Sequence, residues 1–184
     1  IKSLVLGLIE SRRIKALNGQ LSQIVQNENA SPDFRLKALS SKLLSVPVLS
    51  DAEFSMAFSF LGNKNESPIR QMSARLLSNA KLTDDQLHKL AEEQVAKTDV
   101  YLLPNLISAF KNNKTEQVGI ALVAALSASP DRLDNVSEEE LKGLLNAYSQ
   151  KIKSSADPLL AKLAEKNAGR LAELTKLEAS LTRG

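Results

Sequence analysis

Ser50-Asp51-Ala52-Glu53-Phe54-Ser55-Met56-Ala57-Phe58-Ser59-Phe60-Leu61 and, a few residues on, Ser67-Pro68-Ile69-Arg70-Gln71-Met72-Ser73-Ala74-Arg75-Leu76-Leu77 decide the fold. In the first stretch Phe54, Ala57, Phe58 and Leu61 recur at i, i+3, i+4 and i+7, one stripe of an α-helix. Ser50 and Glu53 stand where a capping box needs its hydroxyl and its carboxylate. In the second, Ser67 precedes Pro68, and a proline at the first helical position gives up an N–H that has no partner there anyway. Two such short helices cannot bury their apolar faces alone, so pairs of them must stack.

The pattern extends in both directions. Leu36, Leu39, Leu43 and Val46, then Leu103, Leu106, Ile107 and Phe110, then Leu141, Leu144, Leu145 and Tyr148 form further helical stripes. Thr83-Asp84-Asp85-Gln86 and Ser137-Glu138-Glu139-Glu140 repeat the capping box, and Ser31-Pro32 and Asp157-Pro158 repeat the proline start. Together these predict helices over 2–13, 19–28, 32–45, 51–61, 67–80, 84–97, 101–111, 115–128, 138–151 and 158–181. No segment keeps a period of two, so no strand is expected. Aligning Ser31-Pro32 with Ser67-Pro68 brings Arg35 near Arg70 and, at an offset of 33 to 36 residues, Ser50-Asp51 onto Thr83-Asp84. A looser third copy runs from Thr115 to Ser137. The expected architecture is therefore all-α: one domain over 1–184, a right-handed α-α superhelix of the HEAT/armadillo-like solenoid kind, ending in a long helix over 158–181.

Two segments stand out. Residues 115–128, apolar almost all round, are expected to form a central helix covered on two sides, with Gly119 allowing close approach. In the last helix Leu160, Leu163, Leu171, Leu174, Leu177 and Leu181 line one side and Asn167 interrupts them. That helix reads as a cap folded along the stack, as a linker, or as half of a coiled coil.

Composition narrows the function. Hydrophobic residues are 43% of the 184, enough for a core, but aromatics are only 4% with no Trp, too few for base or quinone stacking. The net charge is +3, and residues 1–48 carry seven Lys/Arg against three acids. That bias falls short of the basic stripe of a nucleic-acid binder. The absence of Cys excludes disulfides, thiol catalysis and covalent haem attachment within these residues. The run Val118–Ala125 is too short to span a bilayer, and the start at Ile1 reads as a piece of a longer protein.

Catalytic patterns are sparse. His88, the lone histidine, lies one turn after Asp84 and one before Glu92; the spacing suits a surface position better than a metal site. Glu138-Glu139-Glu140 occupies a helix start, where the dipole favours acids. No G-x-S-x-G elbow or phosphate-cradling glycine loop occurs. The sequons at Asn65, Asn113 and Asn135 each place their hydroxyl residue at an expected helix cap. Arg12, Arg13 and Lys15 form the one tight basic cluster, read as a solvated helix end.

The runs Leu4-Val5-Leu6-Gly7-Leu8-Ile9-Glu10-Ser11-Arg12-Arg13, Ser31-Pro32-Asp33-Phe34-Arg35-Leu36-Lys37-Ala38, Tyr101-Leu102-Leu103-Pro104 and Glu116-Gln117-Val118-Gly119-Ile120-Ala121-Leu122 carry a resemblance. They resemble the HEAT-like helical region of large multidomain proteins of planctomycetes and related bacteria, described as membrane-bound dehydrogenases. In those proteins a propeller precedes the helices and a c-type haem domain with a CxxCH signature follows. The resemblance implies a non-catalytic interdomain spacer or protein-interaction scaffold in an extracytoplasmic setting. Its partners would be neighbouring domains or another protein, with haem only in a neighbouring domain and no cofactor of its own. This chain lacks CxxCH and propeller-like strands, so neither haem ligation nor dehydrogenase activity falls on any residue here. The competing reading is a helical-repeat nucleic-acid binder of the DNA-repair type. It would need Arg12, Arg13, Lys15, Arg35 and Arg70 to converge on one groove, whereas the repeat alignment gives the scaffold a candidate binding face at Arg35, Lys42, Arg70 and Arg75.

Overall fold

The computed structural model describes residues 17–181, with side chains up to Glu178. The helix expected over 2–13 and the cluster Arg12, Arg13 and Lys15 lie outside the described residues. The described elements are α1 (Asn18–Gln26), α2 (Pro32–Leu43), α3 (Asp51–Ser59), α4 (Ser67–Asn79) and α5 (Asp84–Leu90), which continues as a π-helical turn, Ala91–Val95. They are followed by α6 (Leu103–Ser108), α7 (Glu116–Ala128), a 3-10 turn (Pro130–Asn135), α8 (Glu138–Leu145) and α9 (Gln150–Leu181). The chain is all-helical; among the described residues the only sheet-like contact is an isolated parallel bridge between Val48 and Lys81.

The three capping boxes form. Ser50, Thr83 and Ser137 each accept the N–H three residues on, and Glu53, Gln86 and Glu140 each accept the cap residue's own N–H. The proline starts work differently. Ser31 holds the cap position of α2 without a side-chain bond, and α4 is capped from Glu66, so Ser67 lies one residue inside. There the preset φ of proline, rather than a hydroxyl, begins the helix. Thr115 sits at the cap position of α7, but its hydroxyl donates to Asp84 Oδ2 at 2.7 Å instead.

Asp157-Pro158 is not a helix start. α9 begins at Gln150 and passes through Pro158. Tyr148, Ile152, Ala156, Leu159 and Leu163 are all buried and form one continuous stripe across the proline. Burying that stripe outweighs the backbone hydrogen bond that Pro158 removes.

Packing follows a two-layer order. α1 lies on α2 and α3 on α4. Successive even helices touch, α2 with α4 and α4 with α6; so do successive odd ones, α3 with α5, α5 and its π turn with α7, and α7 with α9. One contiguous core runs through the stack, including Leu36, Leu39, Ala57, Leu77, Leu90 and Leu122. α7 sits between the α5/π segment and α9 as expected, burying Val118, Leu122, Val123 and Leu126. It is not covered all round, since Ile120 is 48% exposed on its solvent side. The 32 residues of α9 make a rod of roughly 48 Å. One stripe of its first half, Ile152 to Leu163, is buried, whereas Leu171, Leu174 and Leu177 are well exposed.

Candidate functional site

Three of the four cations expected to form a binding face are engaged inside the fold, two of them in the same way. Arg35, in the first turn of α2, donates from Nε to the carbonyl of Val25 at 2.8 Å and lies 5.7 Å over the ring of Phe60. Arg70, at the start of α4, donates from Nε to the carbonyl of Leu61 at 3.0 Å and lies 6.0 Å over the ring of Tyr101. Each guanidinium satisfies a carbonyl at the C-terminal end of the first helix in its own pair and stacks on an aromatic ring of the next pair. Arg70 adds an ion pair to Asp99 Oδ2 at 2.5 Å and a hydrogen bond to the Tyr101 hydroxyl at 3.2 Å; only 7% of it is exposed. The pair of arginines is a joint between units, repeated at the alignment offset.

Lys42 joins α2 to α3 by an ion pair with Glu53, whose other oxygen accepts the Ser50 N–H at 3.0 Å and the Ser50 hydroxyl at 2.9 Å. Burial alone would raise the Glu53 carboxyl; the bonds from Lys42 and Ser50 outweigh it and hold the group below its usual value. Arg75 alone of the four points to solvent, from the outer side of α4. The four cations do not converge on one face.

Sequence reasoning misses what these cations meet. Phe60 and Tyr101 fall within the helices expected over 51–61 and 101–111, and Asp99 in the connection before the second. The available signal is a proline start followed within a turn by arginine, a pattern that occurs a third time as Ser129-Pro130-Asp131-Arg132. There Arg132 donates to the carbonyl of Thr98 at 2.6 Å and Ser129 to that of Ala96 at 3.2 Å. Beside them the Thr98 hydroxyl is buried with no partner.

The possible chemical groups do not assemble. His88 Nδ1 lies 3.3 Å from Glu92 Oε2, both side chains being exposed. Asp84 turns instead to Asn113 Nδ2 at 2.6 Å and to the Thr115 hydroxyl. Among the described residues no three His, Cys, Asp or Glu side chains are grouped to hold a metal ion. Glu138 pairs with Lys142 at 2.5 Å, and Glu140 closes the Ser137 cap. The amides of Asn65 and Asn113 donate to internal acceptors.

Smaller than the hollow of about 470 Å³ lined by Pro130, Leu159 and Leu163, a groove of about 300 Å³ lies between α6 and α8. Pro104, Ile107 and Leu144 line its floor, with Lys111 and Glu140 at the rim and Gly143 on one wall. No described helix is long and apolar enough to cross a membrane. No family model matches the chain, and no curated protein or solved structure matches it either.

Proposed function

We propose that this chain is a non-catalytic scaffold or interdomain spacer, a HEAT/armadillo-like superhelix of short helix pairs. The observation that carries the reading is the duplicated joint, in which Arg35 and Arg70 bind the same kind of carbonyl and ring one unit apart. A stack whose units contact only their neighbours is suited to holding flanking parts at a set separation. On the strength of the residues quoted for the resemblance, those parts are a dehydrogenase-like propeller and a c-type haem domain, outside the cytoplasm. Of the cations that a nucleic-acid groove would draw on, Arg35 and Arg70 make their bonds within the fold, which favours the scaffold reading, and Arg12, Arg13 and Lys15 lie outside the described residues.

The isolated chain should bind no haem, reduce no dye with sugar substrates, and show only weak DNA affinity that fades as salt rises, since few phosphates can be neutralised. Haem titration with gel filtration, a dye-linked dehydrogenase assay and a gel-shift series in rising salt test this. A Soret band that survives filtration, turnover of a sugar, or sub-micromolar DNA binding at physiological salt would overturn it.

A further inference from the structure

Four observations follow one another along α9. Pro158 stands inside the helix and takes one bond out of its backbone, a usual place for a helix to bend. The turn after it is incompletely filled underneath: Leu159 and Leu163 are buried, yet with Pro130 they line the hollow of about 470 Å³. Next come Lys166 and Arg170, which both pair with the Asp134 carboxylate. Lys166 donates to its Oδ1, Arg170 Nη2 lies 3.1 Å from the same oxygen, and Arg170 Nη1 donates to the Asp134 carbonyl at 3.4 Å. From Asn167 to Lys176, finally, every residue is exposed.

The two sides of this clasp differ. Asp134 sits on the 3-10 turn, which is firmly held: Leu133 and Val136 are buried, Arg132 donates to the Thr98 carbonyl, and the turn packs on α6 and α7. Lys166 and Arg170 sit on a rod whose end, from residue 167 to residue 181, is roughly 22 Å long. Ion pairs as exposed as these are individually weak and are screened by salt, so they can hold an angle and can also let it go. We infer that α9 is a latched lever: it bends at Pro158, and Asp134, by gripping Lys166 and Arg170, fixes the angle at which its C-terminal half leaves the stack. When the grip is released, Leu159 and Leu163 have the hollow to shift into, and the exposed rod swings. The inference goes beyond the scaffold reading and does not rest on it.

The chain has no Cys, so pairs of introduced cysteines can be spin-labelled specifically. Arg75→Cys with Lys176→Cys reports on the rod, and Arg75→Cys with Ser154→Cys on the part of α9 before Pro158; all three positions are exposed. Pulsed electron–electron distance measurements read the spread of each pair. Asp134→Asn keeps the shape of the side chain and removes its charge. It should make the rod distribution at least half as wide again and leave the other pair unchanged. Lys166→Gln with Arg170→Gln should do the same while leaving the 3-10 turn intact, which guards against a local fault in that turn. Adding Pro158→Ala to Asp134→Asn restores the missing backbone bond and should return the rod distribution to its original width. That last result separates a bending lever from a rod that merely melts, because a melted end stays broad whatever stands at 158. No widening with either release, equal widening of both pairs, or a width that Pro158→Ala leaves untouched would overturn the latch.

Discussion

Gly119 and Gly143 are both helical glycines, yet alanine should have opposite effects at the two positions. At Gly119 a Cβ would stand 2.7 Å from Tyr148 Cδ1, 3.0 Å from Cε1 and 3.2 Å from Ile152 Cγ2. Tyr148 cannot swing aside cheaply, since it is buried and its hydroxyl donates to the Phe110 carbonyl at 3.4 Å. Replacing a helical glycine by alanine ordinarily gains roughly 0.5–1 kcal/mol. Overpacking of a tight core costs about 1–3 kcal/mol. Gly143→Ala therefore shows the gain alone, and Gly119→Ala the gain minus the clash. The difference between the variants is the clash, about 2 kcal/mol at the middle of that range. For a chain of this size that is roughly 4–8 °C between their melting temperatures. Thermal unfolding followed by circular dichroism at 222 nm measures it. Shrinking Tyr148 to leucine should relieve the alanine, so the double variant should lose less than the sum of its parts. If both alanines raised the melting temperature equally, α7 and α9 would not approach as closely as the structure has them.

The joints and the core give two further outcomes. Arg70→Ala should cost about 1–3 kcal/mol, because the Leu61 carbonyl loses its donor and Asp99 its partner, while Arg75→Ala should stay within about 0.5 kcal/mol; urea unfolding compares them. Burial, with the Asp84 charge adding to it, pushes the Tyr148 phenol up to about 12 from 10.0. The neutral form is the one that fits the fold, so its contribution is intact below pH 10 and is lost as pH rises through about 12. Tyr148→Phe should abolish the late tyrosinate absorbance step and reduce the loss of helix signal that accompanies it; an unchanged titration would place the phenol in solvent.

Local signals are legible wherever one element decides the outcome by itself. Ser50, Thr83 and Ser137 cap helices as expected, because a capping box is complete within four residues. The stripes Leu103–Phe110 and Leu141–Tyr148 are buried as expected. Asp157-Pro158 misleads because a local start competes with a stripe beginning at Tyr148, and only packing on α7 and α8 decides between them. Val46, placed at the end of the α2 stripe, is exposed instead, because α2 stops at Leu43. The inward bonds of the candidate cations are hidden for a related reason. Periodicity gives the side of a helix on which Arg35 and Arg70 lie, but not the carbonyl or ring that comes to meet them from another helix.

The fate of those arginines has a general physical cause. Each helix ends with up to four carbonyls that its own backbone cannot satisfy. A stack of short helices has many such ends relative to its length, and close stacking brings several of them away from water. A buried carbonyl without a donor is costly, and water has little room at a tight joint. The residue best placed to serve it lies at the start of the following helix, one short turn away in sequence. Arginine suits that place because its aliphatic stem packs against apolar neighbours while its planar head donates to the carbonyl and covers a ring. Arg35 at Val25 and Arg70 at Leu61 are two instances of this arrangement, and the Thr98 carbonyl is closed by Arg132 from the 3-10 turn after α7. A modest positive charge in a short-helix stack therefore reports how many helix ends must be closed before it reports what the surface binds.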